Sequence, residues 1–168
     1  AGPLGSVPFK VLSCPVMHGA QRVLGVLVLF KAPSSPDFDL RQVRIVELLA
    51  RRVAALLMLP VFTLALASVF SGRIRARTGH PLLLAAMLWA AAHLLTNGSV
   101  ADVLLFGAFL TWAILVRLSL ARRPARPPIA LPASRINDAI AVVGGLALYA
   151  VFMLWLHAWW LGVPPLIL

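Results

Sequence analysis

Apolar and polar positions fall along this chain in two different rhythms. From Val53 to Ser71 nineteen consecutive residues carry no charge. Three further apolar stretches follow: Pro81 to Asn97, Ser99 to about Leu118, and about Asn137 to Gly162. A helix crossing the hydrocarbon core needs about 20 residues at a rise of about 1.5 Å each. The pattern therefore predicts four transmembrane helices, with Pro60 accommodated in the first as a kink. The linker RRPARPP between the third and fourth cannot be helical throughout, because proline lacks the N–H donor and clashes with the preceding turn. Gly144-Gly145 predicts a close helix contact in the fourth stretch. Trp155, Trp159 and Trp160 crowd the end of that stretch, as an interfacial belt does.

Residues 7 to 57 keep a shorter period. VPFKVLSCPVMH reads as a strand, HGAQ as a hairpin loop, and RVLGVLVLFK as a second strand, apolar on both faces and so buried. Asp39 with Gln42 three residues on forms a capping box that opens a helix. Leu40, Val43, Val46 and Leu49 then mark one face of it. Two strands and one helix are too little for an independent core. The expected fold class is mainly α: a polytopic membrane bundle of about four transmembrane helices, with a small N-terminal β-hairpin plus helix.

Composition strengthens the membrane reading. The chain is 61% hydrophobic and 12% charged, against about 25% charged in an average soluble domain. Its net charge of +10 raises nucleic acid as a partner, but the arginines are placed wrongly for that. Arg73, Arg75 and Arg77 share one short loop; Arg117, Arg122, Arg123, Arg126 and Arg135 share another; apolar runs bound both. Nucleic-acid binders collect basic residues on a solvated face, whereas arginine-rich loops between spans are a positive-inside signal. The expected partners are the lipid bilayer and other membrane proteins, with no nucleic acid. Loops 72–80 and 117–136 are expected in the cytoplasm. Cys14 is the only cysteine, so no intrachain disulfide forms. It reads as a small buried strand residue, since nothing nearby would activate a thiol. The opening Gly2-Pro3-Leu4-Gly5-Ser6 reads equally as a protease-tag scar or a natural loop.

The stretch VLSCPVMHGAQRVLGVLVLFKAPSSPDFDLRQVRIVELLARRVAALL resembles the C-terminal third of GAF domains of bacterial signalling proteins, without the elements that enclose their ligand cavity. A second stretch, MLPVFTLALASVFSGRIRARTGHPLLLAAMLWAAAHLLTNGSVADVLLFGAFLTWAILVRLSLARR, is similar to the C-terminal half of the NnrU family of bacterial membrane proteins. NDAIAVVGGLALYAVFMLWLHAWWLGVPPL continues that likeness. These resemblances divide the chain into a GAF-like remnant over 1–57 and an NnrU-like transmembrane domain over 58–168. They imply a multi-pass protein of the bacterial inner membrane, linked to denitrification and nitric-oxide metabolism. The NnrU family in turn resembles 15-cis-zeta-carotene isomerases, which use haem b, and more distantly isoprenylcysteine methyltransferases. Where the family has Arg-His-Pro, this chain has Gly79-His80-Pro81.

Three histidines carry the candidate chemistry. His80 precedes Pro81 at the start of the second span, where it reads as an interfacial helix cap or as a ligand contact. His93 lies inside an apolar span, where an ionisable residue is costly and marks function, and it shares a face with Trp89. The thirteen residues between His80 and His93 amount to about 20 Å of helix and a different face, so the two cannot bind one metal together. His157 is the better partner. Counted from the cytoplasmic ends, His93 lies about 6 Å and His157 about 10 Å beyond the middle of their spans. Two imidazoles at similar depth on different helices can supply axial nitrogens to haem iron; interhelical hydrogen bonds or snorkelling to the interface would equally account for them. By resemblance, His93 matches a histidine implicated in haem binding in the isomerases, whose other ligand comes from the N-terminal half of that fold. The resemblance thus implies haem b as the cofactor, with no cofactor as the alternative. Ser99 and Asp102 read as a capping box and Asn97-Gly98 as a helix-ending turn. No metal cluster, phosphate loop or Ser/His/Asp set appears, and no catalytic residue is assigned.

Topology holds one tension. Four spans put both arginine-rich loops on one side and the N-terminal segment on the other, yet Arg51 and Arg52 stand at the membrane edge of that segment. A join between unlike halves near Ala55 to Leu59 would explain this. Three readings follow: a haem-associated membrane accessory of nitrogen-oxide metabolism, an isomerase- or methyltransferase-type enzyme on a lipid-soluble substrate, and a truncated or chimeric fragment without function.

Overall fold

The computed structural model describes residues 39–123, 132–134 and 136–165, together with the backbone of 10–18 and 22–31. That backbone traces two antiparallel strands, β1 (Lys10–His18) and β2 (Arg22–Lys31). The side chains before Asp39, Cys14 among them, lie outside the described residues, and with them falls most of the stretch that resembles a GAF domain. The 117–136 loop is described only at its two ends.

Everything that builds the core is helical. The first helix, α1 (Leu40–Val69), opens at Asp39, whose N–H donates to Gln42 Oε1 at 3.4 Å. This satisfies a donor that the helix start would otherwise leave without a partner. α1 continues unbroken through Pro60, so the expected boundary between residues 57 and 58 falls inside one helix. The short α2 (Arg73–Thr78) ends at Gly79 with φ of 71°, a conformation that suits glycine. α3 (Pro81–Thr96) carries proline at its first turn, where a missing N–H costs nothing. At the start of α4 (Val100–Ala121), Ser99 Oγ accepts the Asp102 N–H at 3.1 Å and donates to Asp102 Oδ2 at 2.5 Å. Asp102 is thereby occupied as a cap. α5 (Ile136–Val151) passes through a π turn, Phe152–Leu156, into α6 (His157–Leu161).

Among the described residues, three helical stretches are long and apolar enough to cross a membrane: α1 with 30 residues, α4 with 22, and Ile136–Leu161 with 26. The fourth expected span, α3, has 16 residues. Bounded by Pro81 and Asn97, it reaches about 24 Å by helical rise, short of a hydrocarbon core about 30 Å thick.

α1 packs against both α3 and α5, and α4 packs along α3. The contacts are made by small residues: Ala54, Ala85 and Ala92 are buried with Met58 and Val61. Large apolar side chains such as Leu104, Leu115 and Leu154 face outward. That inversion suits lipid, where helices associate by close backbone approach rather than by burying bulk from water. Gly145 shows the approach directly: a Cβ there would lie 2.5 Å from the Cα and N of Thr63.

The end of the bundle near α2 is held by polar groups. Buried Asn137 donates through Nδ2 to Ser71 O at 2.8 Å and to Pro132 O at 3.0 Å. The Asp138 carboxylate accepts the N–H groups of Arg73 at 2.8 Å and Ile74 at 3.0 Å, capping α2 from α5. Gly72 makes room for it, since a Cβ there would collide with the carboxylate. The Arg75 guanidinium donates to Ser68 O, and that of Arg117 to Thr78 O. Backbone carbonyls left over at helix ends are satisfied in this way.

Candidate functional site

The three candidate histidines divide between the two ends of the bundle. His80 is exposed and precedes Pro81 at the start of α3, beside the arginine-bearing α2. His93 sits in the last turn of the same helix, at the other end. It and His157, from α6, line one cavity of about 110 Å³ between α1, α3 and the π turn. Arg51, Met58, Thr96 and Val163 line it as well.

Each imidazole is held through its Nδ1. His93 Nδ1 lies 2.8 Å from Trp89 O, one turn back on α3. A carbonyl only accepts, so Nδ1 carries the proton and Nε2 keeps a lone pair in the neutral ring. Aromatic packing fixes the ring plane. His93 stacks on Phe106 of α4 with centroids 4.6 Å apart and planes at 28°. Trp89 lies 5.0 Å from His93 and meets Phe106 and Phe109 edge-on at 5.1 and 5.4 Å.

His157 is oriented by a different device with the same result. Gly162, with φ of 70°, turns the chain back, and Val163 O comes within 2.6 Å of His157 Nδ1. Immediately before it, the π turn adds a residue to the helical repeat and re-aims the last turn; such bulges occur often at functional sites. Phe152 in that turn meets His157 edge-on at 5.6 Å and Phe62 of α1 at 5.5 Å.

Two imidazoles on separate helices, each with Nδ1 turned to a backbone carbonyl, can ligate a metal centre carried by a cofactor or exchange protons with a substrate. No group of three His, Cys, Asp or Glu able to hold a bare metal ion occurs among the described residues. Haem b, implied by the resemblance, fits the donor set. Haem iron takes imidazole nitrogens, and Nδ1–H donation to a carbonyl is the usual way such a ligand is oriented. The cavity is partly open, and its volume of about 110 Å³ is below the roughly 300 Å³ of pockets that bury a drug-sized ligand.

Arg51, Phe106 and Val163 belong to this site without a motif to announce them. Arg51 reads from sequence only as an edge charge. Phe106 and Val163 act through packing and a backbone carbonyl, which side-chain spacing does not encode.

Apolar helices packed through alanine and glycine, with a histidine-lined cavity between them, define a multi-helix membrane protein. A family model described as "NnrU protein" matches residues 23–165 of 168; the chain belongs to the NnrU family. No curated protein and no solved structure matches it.

Proposed function

We propose that this NnrU-family chain is an inner-membrane protein that holds haem b between His93 and His157 and serves as an accessory factor in nitrogen-oxide metabolism. One observation supports this above the others: imidazoles from α3 and α6 line a single cavity, both with Nδ1 engaged by a backbone carbonyl. When bound, haem b would supply a redox-active iron, and His93 and His157 are the residues that would hold it. The chain's own part is to orient the two Nε2 atoms and exclude water on the apolar side. The nitrogen-oxide setting comes from the family resemblance, and the positive-inside bias puts α2 and the arginines after α4 in the cytoplasm.

The test is an absorption spectrum of the full chain purified from membranes grown with haem supply. The expected result is a Soret band that His157→Ala and His93→Ala each diminish and that His80→Ala leaves intact. A colourless wild-type protein that also takes up no added haem refutes the proposal. The apolar walls at Met58, Phe152 and Met153 favour a second reading, an isomerase- or methyltransferase-type enzyme on a lipid-soluble substrate. Turnover of such a substrate by haem-free protein would select it.

A further inference from the structure

We propose that Arg51 is the anion-binding residue of this cavity, and that it takes a carboxylate of the bound molecule at the membrane surface. The inference rests on the haem reading for its probe, in which the carboxylate is a haem propionate.

Arg51 and Arg52 are neighbours on α1, yet only Arg51 lines the cavity. Helical geometry explains the difference: Arg51, Ala54, Ala55 and Met58 fall at i, i+3, i+4 and i+7, one face of the helix, and all four line it. The stripe from Arg51 to Met58 runs about 10 Å along the axis, with the guanidinium at the water-facing end, just before the charge-free run that begins at Val53. The two alanines below it leave space that larger residues would fill. Among the described residues that line the cavity there is no carboxylate, and Arg51 is the one with a fixed charge.

The cavity lies at the end of the bundle opposite α2, whereas Arg73, Arg75, Arg77, Arg117, Arg122 and Arg123 gather at the α2 end. Arg41, Arg44 and Arg52 stand on the same end of α1, so what singles out Arg51 is its place in the cavity lining. A guanidinium, apolar walls and two imidazoles around one cavity match a ligand with an apolar body, a group that accepts imidazole nitrogens, and an anionic terminus. Guanidinium to carboxylate is the pairing with the best geometric match and strongest charge assistance.

The experiment titrates haem b and its dimethyl ester, in which both propionates are blocked and the iron and ring unchanged, into the full chain in detergent. Soret absorbance is followed for the wild type, Arg51→Gln and Arg52→Gln. The wild type is expected to bind the free acid about tenfold or more tightly than the ester, the scale of one charge-assisted contact. Arg51→Gln should lower the affinity for the acid to that for the ester, and Arg52→Gln should keep the preference. Equal binding of acid and ester by the wild type overturns the role of Arg51 and leaves haem binding standing, and needs no variant to fold. So does a preference that survives Arg51→Gln. No Soret band from the wild type with either compound overturns both proposals.

Discussion

Replacing Gly145 by alanine should separate α5 from α1 and destabilise the bundle. The added Cβ would lie 2.5 Å from the Thr63 Cα, N and Oγ1, against a comfortable separation of about 3.5–4.0 Å. Backbone atoms cannot rotate away, so the helices must part by about 1 Å. Overpacking of this kind costs about 1–3 kcal/mol, partly offset by the gain of up to about 1 kcal/mol for alanine over glycine within a helix. Two further glycines serve as internal controls. A Cβ on Gly144 would meet the Cδ1 of Leu66 at 3.0 Å, the far end of a side chain that can turn aside. A Cβ on Gly107 would meet nothing within 4 Å. Thermal unfolding of the three variants in one detergent should rank Gly145→Ala lowest, then Gly144→Ala, with Gly107→Ala at or above wild type. With about 2–4 °C per kcal/mol for a chain of this size, the Gly145→Ala midpoint should fall by several degrees. A Gly145→Ala protein as stable as Gly107→Ala would refute the close contact, and with it the placement of α5 on α1.

Other outcomes follow from the same contacts. Gly162→Ala forces a residue with a Cβ into the left-handed region at a cost of about 1–2 kcal/mol; it should shift Val163 off His157 and weaken haem uptake in the Soret titration, while far-ultraviolet circular dichroism stays unchanged. Gly72→Ala and Asp138→Ala should each lower the unfolding midpoint, and their double variant should fall short of the sum because both remove one α2 cap. In intact cells, a maleimide that cannot cross the membrane should label Arg123→Cys, made in a Cys14→Ser background, only after the membrane is opened; labelling from outside would reverse the proposed topology. His80→Ala should leave haem affinity within about twofold of wild type, since it stands at the other end of α3 from the cavity.

Much of the helical frame is legible in the sequence because a membrane removes alternatives. Nineteen uncharged residues from Val53 have one stable use, and the Asp39–Gln42 and Ser99–Asp102 spacings close helix starts by local hydrogen bonds alone. Gly144-Gly145 reads as a contact because only a missing Cβ lets backbones meet. Counting helical rise brings His93 and His157 to similar depth, and the two line one cavity. What stays hidden depends on which faces meet. Asp138 caps α2 from more than sixty residues away, and no spacing announces that. The π turn before His157 is a change of repeat inside an uninterrupted apolar run. Arg51 reads as a misplaced edge charge until α3 and α6 are packed beside it. The continuity of α1 through residues 55–59 also gives the tension over Arg51 and Arg52 a structural setting that composition could not supply.

The two histidines of the cavity do not weigh equally as evidence for a ligand. α4 packs along α3, and the ring of His93 is part of that contact through its stack on Phe106. Removing His93 therefore leaves a gap in an aromatic cluster that also holds Trp89 and Phe109, and α4 will shift whether or not anything binds. A lost Soret band in His93→Ala has two explanations. His157 is different: its described partners, Val163 O and Phe152, lie within six residues of it on the same strand of chain. His157→Ala can change the cavity without loosening one helix from another, so loss of haem there speaks to ligation. Phe106→Leu completes the comparison by disturbing the cluster while keeping both imidazoles. If Phe106→Leu lowers stability but keeps the haem spectrum, and His157→Ala does the opposite, the packing and the ligand chemistry of this site are separable.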